Sequence, residues 1–238
     1  GTFNVLEAAR QTGRKPIVLY ASTNKVYGNM DEIAVVEGDT RYQYQDLPFG
    51  VSEEQPLDFH SPYGCSKGAG DQYTRDYYRI YGLPTVVLRQ SCIYGPRQFG
   101  IEDQGWVAWF LIAAVTERPI TIFGDGKQVR DLLYIDDLLD AYDAAVERID
   151  RSAGQIYNLG GGPANTLSVW QEFAPLLEDL LERPVPVMRD QWRPGDQRVF
   201  IADIRKAQRE LGFQPKVGVK EGIGQLFRWV KENRQLFS

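Results

Sequence analysis

A tyrosine and a lysine four residues apart, Tyr63 and Lys67, form the pattern with the clearest chemical meaning in this sequence. On a helix, that spacing places both side chains on one face, within reach of one bound molecule. A free phenol titrates at about pH 10 and is a poor base at neutral pH, but a neighbouring ammonium or an oxidised nicotinamide favours its ionised form. The pair predicts a redox centre, in which the phenol accepts a proton from a carbinol while hydride leaves the carbinol carbon, and Lys67 also holds the cofactor ribose. The alternative is an aromatic ring and a charge on a solvated helix face.

Hydroxyl side chains follow directly after a predicted strand. Ile17–Ala21 is a short apolar run, typical of a strand that is buried on both faces, and Ser22 and Thr23 come next. In open α/β sheets, ligands bind at the carboxyl ends of the strands. We therefore expect Thr23 to hydrogen-bond the reacting hydroxyl; the alternative is a turn residue or a helix cap. The segment 88–96 ends another strand at the same edge.

Helical and strand patterns alternate along the rest of the chain. Val5–Arg10 predicts a first helix, Tyr63–Tyr81 a long helix closed by Gly82, and Thr85–Arg89 a second buried strand. The remaining predictions are helices over 106–116, 135–148, 204–211 and 221–233, strands over 120–123 and 155–159, a helix capped by Ser168 that runs to Leu181, and mostly loop over 28–62. This alternation favours an α/β fold with a doubly wound parallel sheet that helices cover on both faces.

The expected start of such a sheet is missing from the pattern. A doubly wound sheet normally begins with a strand and a glycine-rich turn that cradles a phosphate at a helix N-terminus. No such turn precedes the first helix, Gly160–Gly162 lies far downstream, and Gly124–Gly126 precedes no helix. The sequence therefore predicts the remainder of a Rossmann-like sheet, without its N-terminal glycine-rich part.

Composition excludes several classes of protein. The net charge is -5 and no block of Lys and Arg stands out, so a nucleic-acid partner is not expected. The longest apolar run, Trp106–Val115, is too short to span a bilayer, and no leader-like stretch opens the chain. One histidine and two cysteines make neither a zinc site nor a disulfide scaffold. We expect a cytoplasmic protein with no metal and no membrane partner.

Taken together and in this order, the motifs resemble the extended short-chain dehydrogenase/reductase family, whose members act on nucleotide-sugars. The resemblance covers essentially the whole chain, because residues 1–10 look like the helix before the family's central strand, and 124–131 and 134–138 look like its substrate-lobe strand and the next helix. It implies a partial NAD-binding Rossmann-like domain and a smaller nucleotide-sugar-binding lobe. The first is formed by 1–95 and 129–164, and the second by 96–128 and 165–238. It also implies a homodimer.

The same resemblance implies roles for individual residues. Thr23, Tyr63 and Lys67 are the catalytic trio, and the expected cofactor contacts are Tyr63, Lys67, Ser22 and Arg89. Arg130 and Arg193 match positions that hold the substrate's diphosphate, a task that suits guanidinium groups. For each arginine the alternative is a surface ion pair. The other expected substrate contacts are Asn24, Lys25 and Gln104.

The family includes epimerases, dehydratases, decarboxylases and reductases, so the fold alone does not settle the reaction. Hexose 4,6-dehydratases carry an Asp-Glu pair directly after the catalytic threonine, and Asn24 and Lys25 cannot serve as that pair. The chain is instead very similar to the CDP-tyvelose (CDP-paratose) 2-epimerases over 22–28, 56–68, 98–99, 103–106 and 196–200. This similarity implies tightly held NAD and inversion at C2 of a CDP-linked dideoxyhexose through a transient 2-ketone.

Two other readings stay open at this stage. The chain could catalyse another reaction of the family, namely 4-epimerisation, decarboxylation or reduction. Alternatively, it could be a truncated, inactive fragment that binds no dinucleotide.

Overall fold

The computed structural model describes residues 1–193 and 195–237, in which helices and strands alternate. The helices are α1 (Thr2–Gln11), α2 (Ser61–Tyr81), α3 (Trp106–Val115), α4 (Ile135–Glu147), α5 (Ile149–Ser152), α6 (Phe173–Leu181), α7 (Arg205–Leu211) and α8 (Val219–Glu232). The strands are β1 (Val18–Thr23), β2 (Val35–Glu37), β3 (Tyr42–Tyr44), β4 (Thr85–Gln90), β5 (Cys92–Tyr94), β6 (Ile120–Phe123), β7 (Val129–Tyr134), β8 (Ile156–Leu159), β9 (Thr166–Ser168), β10 (Val187–Asp190) and β11 (Val199–Phe200). No helix of the described residues is long and apolar enough to cross a membrane.

A parallel sheet of three strands, in the order β1-β4-β8, carries the first motifs. Its central strand β4 is apolar over Val86–Leu88 and almost wholly buried, as expected for a strand with neighbours on both sides. Ser22 pairs in register with Arg89, which in turn pairs with Asn158, so the carboxyl ends of all three strands meet at one edge. The predicted α/β fold with a parallel sheet is confirmed.

Helix α2 lies against β1 and delivers its first turn to that edge. Pro62 stands in the first turn, where its missing N–H is not needed, and Gly82 ends the helix in the left-handed conformation with φ of 62°. Two glycines let the helix approach closely. A Cβ at Gly68 would lie 2.3 Å from the Phe59 ring, and one at Gly70 would lie 2.1 Å from the Tyr20 hydroxyl.

A second group of strands forms two further small sheets. The strands β5, β7 and β11 form a parallel sheet, β9 joins β7 antiparallel, and β6 pairs with β10. An apolar core made mainly by α3, α6 and α8 packs beside them, with Phe110, Trp170 and Phe173 in ring contact at its centre. Every residue of β7 is buried, which fixes the strand that carries Arg130.

The stretch 28–62 is mostly loop, as predicted, and it also contains the short antiparallel hairpin β2–β3. The second group of strands stabilises this hairpin, because Tyr44 donates to the Val199 carbonyl at 2.9 Å. One local prediction was wrong, the start of the helix after Ser168. Helix α6 begins at Phe173 instead of directly after Ser168. Ser168 and Glu172 bond reciprocally, side chain to backbone N–H, at 2.9 Å, which closes a turn before the helix starts.

Candidate active site

A cavity of about 530 Å³ opens between the carboxyl edge of the three-stranded sheet and the second group of strands. The predicted site residues that line it are Ser22, Thr23, Asn24, Lys25, Tyr63, Gln104, Arg130 and Arg193. Lys67 lies one turn further along α2 than Tyr63, and neither Lys67 nor Arg89 lines the cavity. Side chains more than a hundred residues apart in sequence are thus brought to one cleft.

The end of β1 turns sharply into the cleft. Thr23 is extended, and its Oγ accepts the backbone N–H of Lys25 at 3.3 Å, which caps a short helical turn over Asn24–Tyr27. The Thr23 hydroxyl also donates to Asn24 Oδ1 at 3.3 Å. Thr23 therefore caps a turn, which was the alternative to a role in binding, and it also lines the cavity.

The first turn of α2 presents Tyr63 to the same space. Its side chain is 55% exposed, and its hydroxyl has no hydrogen-bond partner among the described residues. The Lys67 ammonium, one turn along, donates to the Ala21 carbonyl at 2.7 Å and lies 5.5 Å from the centre of the Tyr20 ring. The lysine is thus held at the strand end, while the phenol is left free.

Arg89 and Ser22 belong to a buried polar network beneath the cleft. Arg89 donates to both oxygens of Asp71 at 2.9 and 3.0 Å and to the Tyr27 hydroxyl at 3.1 Å. Ser22 donates to Asp71 at 2.7 Å, and Tyr27 donates to Asn158 at 2.7 Å. Burial alone lowers the pKa of Arg89, but its bonds to Asp71 outweigh that effect and raise it. The structure therefore engages Arg89 inside the protein and does not bring it to the cleft.

The two arginines proposed for a diphosphate lie on the far wall, each beside a carboxylate. Arg130 is buried on β7 and pairs with Asp196 at 2.6 Å. Arg193 pairs with Asp103 at 2.9 Å, and its guanidinium lies 3.9 Å from the centre of the Phe123 ring. Both arginines line the cavity. Both also form an ion pair, which was the alternative to a role in binding the diphosphate.

Lys25 differs from the arginines because its ammonium forms no ion pair or hydrogen bond in the described part of the chain. Burial, followed by the nearby charge of Arg130, lowers the pKa of Lys25 to about 8. Cys92 lines the cavity next to it, and burial raises the pKa of that thiol to about 11, so the thiol stays protonated at neutral pH.

Sequence reasoning missed several polar side chains of the cleft and its floor. The buried amide oxygens of Gln98 and Gln128, both on the cavity wall, have no hydrogen-bond partner within the described residues. Asp131, on β7, accepts the hydroxyl of Ser91 and the backbone N–H groups of Gly162 and Ala202, and burial raises its pKa to about 6. The only signal for this aspartate in the sequence is its place at the end of 124–131, the segment that resembles the family's substrate-lobe strand. Nothing in the sequence separated the glutamines from ordinary loop residues. Within residues 1–193 and 195–237, no cluster of three His, Cys, Asp or Glu side chains is placed to hold a metal.

Comparison with known proteins gives concordant results. A model of the NAD dependent epimerase/dehydratase family matches residues 1–160. The CDP-paratose 2-epimerase of Salmonella typhi is 46% identical over 234 residues, which are 96% of this chain and 69% of that protein.

Solved structures agree with this assignment. The UDP-glucose 4-epimerase of Thermotoga maritima, solved with UDP-glucose, superimposes with a TM-score of 0.80 at 29% identity, over 97% of this chain and 68% of that one. The UDP-glucuronic acid 4-epimerase of Bacillus cereus, in complex with UDP-glucuronic acid and NAD, gives 0.77 at 28% identity, over 97% and 66%. The chain spans about two thirds of the length of these relatives. It belongs to the NAD dependent epimerase/dehydratase family.

Proposed function

We propose that the protein is a nucleotide-sugar epimerase that uses bound NAD to invert C2 of a CDP-linked dideoxyhexose, interconverting CDP-paratose and CDP-tyvelose. The observation that carries the proposal is the free Tyr63 hydroxyl, one helical turn from Lys67 and opposite Arg130 and Arg193 in one cleft. The 46% identity to a CDP-paratose 2-epimerase supports the choice of substrate.

The cleft fits the nicotinamide end of the cofactor. Tyr63 presents a hydroxyl without a partner, and Ser22 and the ammonium of Lys67 stand at the same strand end. In the described residues, no glycine-rich turn leads into the N-terminus of an α-helix, so these residues would hold the nicotinamide ribose and not the pyrophosphate. We assign residues 1–95 and 129–164 to the cofactor side, and 96–128 and 165–238 to the nucleotide-sugar side. NAD, when bound, accepts the hydride from C2 and later returns it.

The chain's own residues then move the proton. Tyr63, in its ionised form, accepts the proton of the C2 hydroxyl, so that the O–H and C–H bonds break as the C=O bond forms. Lys67, anchored on Ala21, stabilises the ionised phenol, and Thr23 hydrogen-bonds the reacting oxygen. The transient 2-ketone turns its other face to the cofactor, and Tyr63 gives the proton back to the oxygen as the C–H bond re-forms. Asn24 is a second donor to that oxygen as it becomes a carbonyl.

The side chains after Thr23 favour epimerisation over water elimination. A dehydratase needs an acid and a base beside the reacting carbons, and Asn24 and Lys25 supply no carboxylate. A net oxidation or reduction differs from C2 inversion in cofactor balance, because an epimerase ends with its NAD oxidised and needs none added. 4-Epimerisation has the same balance and is separated by its substrate.

The test is incubation of the full-length gene product with CDP-paratose and, separately, with CDP-tyvelose, in deuterated water. We expect interconversion to the same final ratio, oxidised cofactor throughout, and no deuterium at C2, because the hydrogen returns from the cofactor. UDP-glucose serves as the matched control for 4-epimerisation.

Four results would count against the proposal. Inversion of UDP-glucose alone would assign a 4-epimerase, and accumulation of reduced cofactor would assign a net oxidation. Deuterium at C2 would indicate proton abstraction from carbon in place of hydride transfer. A protein that binds no NAD and converts neither sugar would be the inactive fragment.

A further inference from the structure

Of the three cationic side chains that line the cleft in the described residues, Lys25, Arg130 and Arg193, only Lys25 has no ion pair. Arg130 lies against Asp196 and Arg193 against Asp103, at 2.6 and 2.9 Å. The Lys25 ammonium has neither a carboxylate nor a carbonyl within bonding distance in the part of the chain that the structure describes. A half-buried ammonium without a partner is costly, and a ligand anion would remove that cost.

Lys25 lies in the cleft between the end of β1, which carries Thr23, and the side that carries Arg130 and Arg193. Its backbone N–H is bonded to Thr23, and its carbonyl lies 3.4 Å from where a Cβ of Gly64 would stand, next to Tyr63. Its ammonium is close enough to Arg130 and Asp196 to feel their charges. A group bound at the Lys25 ammonium therefore lies in the same cleft as the Tyr63 hydroxyl and as the arginines proposed to hold the diphosphate.

This position has a specific meaning for a sugar that is linked through C1 to a diphosphate. C2 is bonded directly to C1, so a reaction at C2 brings the sugar-bearing phosphate close to Tyr63. For a reaction at C4, on the opposite side of the ring, the phosphate lies farther from the phenol. A cation directly after the catalytic threonine suits the first arrangement.

We propose that Lys25 binds the phosphate attached to the sugar and thereby fixes C2, rather than C4, beside Tyr63. The inference rests on the proposed function for the identity of the reacting carbon, and on the unpaired ammonium for the contact. Arg130 and Arg193 then serve mainly the rest of the diphosphate, and Lys25 is the residue that sets where along the sugar the chemistry occurs.

The contact is tested by binding, without turnover. CDP contains the phosphate that would carry the sugar, and CMP lacks it, so the two ligands differ only in the group that Lys25 is proposed to hold. By calorimetry on the full-length protein, we expect Lys25→Met to weaken CDP binding about tenfold or more and CMP binding less than twofold, since a charge-assisted hydrogen bond is lost. Lys25→Arg should keep most of the preference for CDP. Lys216→Met, which removes an exposed lysine paired with Asp140, is the matched control and should change neither affinity.

The proposed positioning of C2 beside Tyr63 is tested by kinetics with the CDP-sugar. We expect Lys25→Met to lower kcat as well as to raise KM, because a sugar that is bound without this contact is seldom correctly placed. Equal weakening of CDP and CMP, or no change in either, overturns the phosphate contact. A raised KM with unchanged kcat overturns the positioning role. Failure of the wild-type protein to invert C2 refutes the proposed function, whereas the CDP and CMP comparison tests the contact independently of it.

Discussion

Two polar regions lie back to back at the end of β1, and they differ in how completely their groups are paired. Below the sheet edge, Ser22, Asp71, Arg89, Tyr27 and Asn158 form a closed network in which each side chain has a partner between 2.7 and 3.1 Å. Above the edge, a few residues away, the Tyr63 hydroxyl and the Lys25 ammonium have none among the described residues. Buried polar groups without partners destabilise a protein, so the closed network serves the fold, while the open groups are available to a ligand.

This difference predicts that the two regions respond oppositely to substitution. Changes in the closed network should cost stability, and changes in the open cleft should cost function with little loss of stability. Each prediction below tests one side of that contrast.

The largest effect is expected at Tyr63. Replacing it by phenylalanine removes the proton acceptor, and the rate of turnover should fall by about 10²–10⁴-fold, the usual contribution of a general base. Because the hydroxyl is exposed and unbonded, the melting temperature and the affinity for the CDP-sugar should hardly change. Tyr73→Phe, on the same helix and also half exposed, is the control. Turnover at the wild-type rate in Tyr63→Phe would refute the assigned base.

The closed network is tested at Asp71. Asp71→Asn leaves the Arg89 guanidinium buried without its counter-charge, a change that typically costs about 3–5 kcal/mol of unfolding free energy. Urea denaturation measures that loss, and Asp76→Asn, an exposed position on the same helix, provides the control. A loss no greater than that of the control would show that the network is not needed for the fold.

A smaller effect, visible as a pH dependence, is expected at Asp131. Burial raises the pKa of this carboxyl to about 6, so the folded protein binds its proton more tightly than the unfolded chain does. The resulting stability is present below about pH 4 and is lost as the pH rises through about 6. Relative to Asp131→Asn, the wild-type protein should therefore lose about 2 kcal/mol between pH 4 and pH 7. Parallel pH profiles for the two proteins would contradict this assignment.

The smallest effect is expected at Lys25. Because burial and Arg130 lower the pKa of Lys25 to about 8, the free protein loses this positive charge in mildly alkaline solution. Arg130 approaches it from β7, Asp196 from the segment before β11 and Cys92 from β5. The dissociation constant for CDP should rise about tenfold between pH 7 and pH 9 in the wild-type protein and much less in Lys25→Arg, where the charge persists. The same rise in both proteins would assign the pH dependence to another group.

The sequence predicted the parts of the molecule that depend on local pattern. The apolar run before Ser22 and the glycine stop at Gly82 located β1 and α2, and the spacing of Tyr63 and Lys67 placed both on one helix. The rule that ligands bind at the carboxyl ends of parallel strands brought Thr23 to the cleft.

What could not be predicted depends on partners that are remote in the sequence. Arg89 stands in a strand like any candidate ligand contact, and only Asp71, on another element, shows that its guanidinium is engaged inside the protein. The strands of the hairpin β2–β3 have three residues each, which is too short for an alternating apolar pattern to be recognised in the sequence. The hairpin is held in place by the second group of strands, which is remote in the sequence. The missing partner of Lys25 is likewise visible only once every neighbouring side chain has a position.

The glycines of α2 carry a practical consequence. Alanine is ordinarily the better helix former by about 1 kcal/mol, so Gly68 and Gly70 would be the first choices of anyone wishing to make this protein more heat-resistant. At both positions the added methyl group would meet an aromatic side chain at under 2.5 Å, the ring of Phe59 at Gly68 and the hydroxyl of Tyr20, on β1, at Gly70. The displacement needed to relieve these contacts would offset the gain in helix propensity, so an engineering campaign should leave both glycines unchanged.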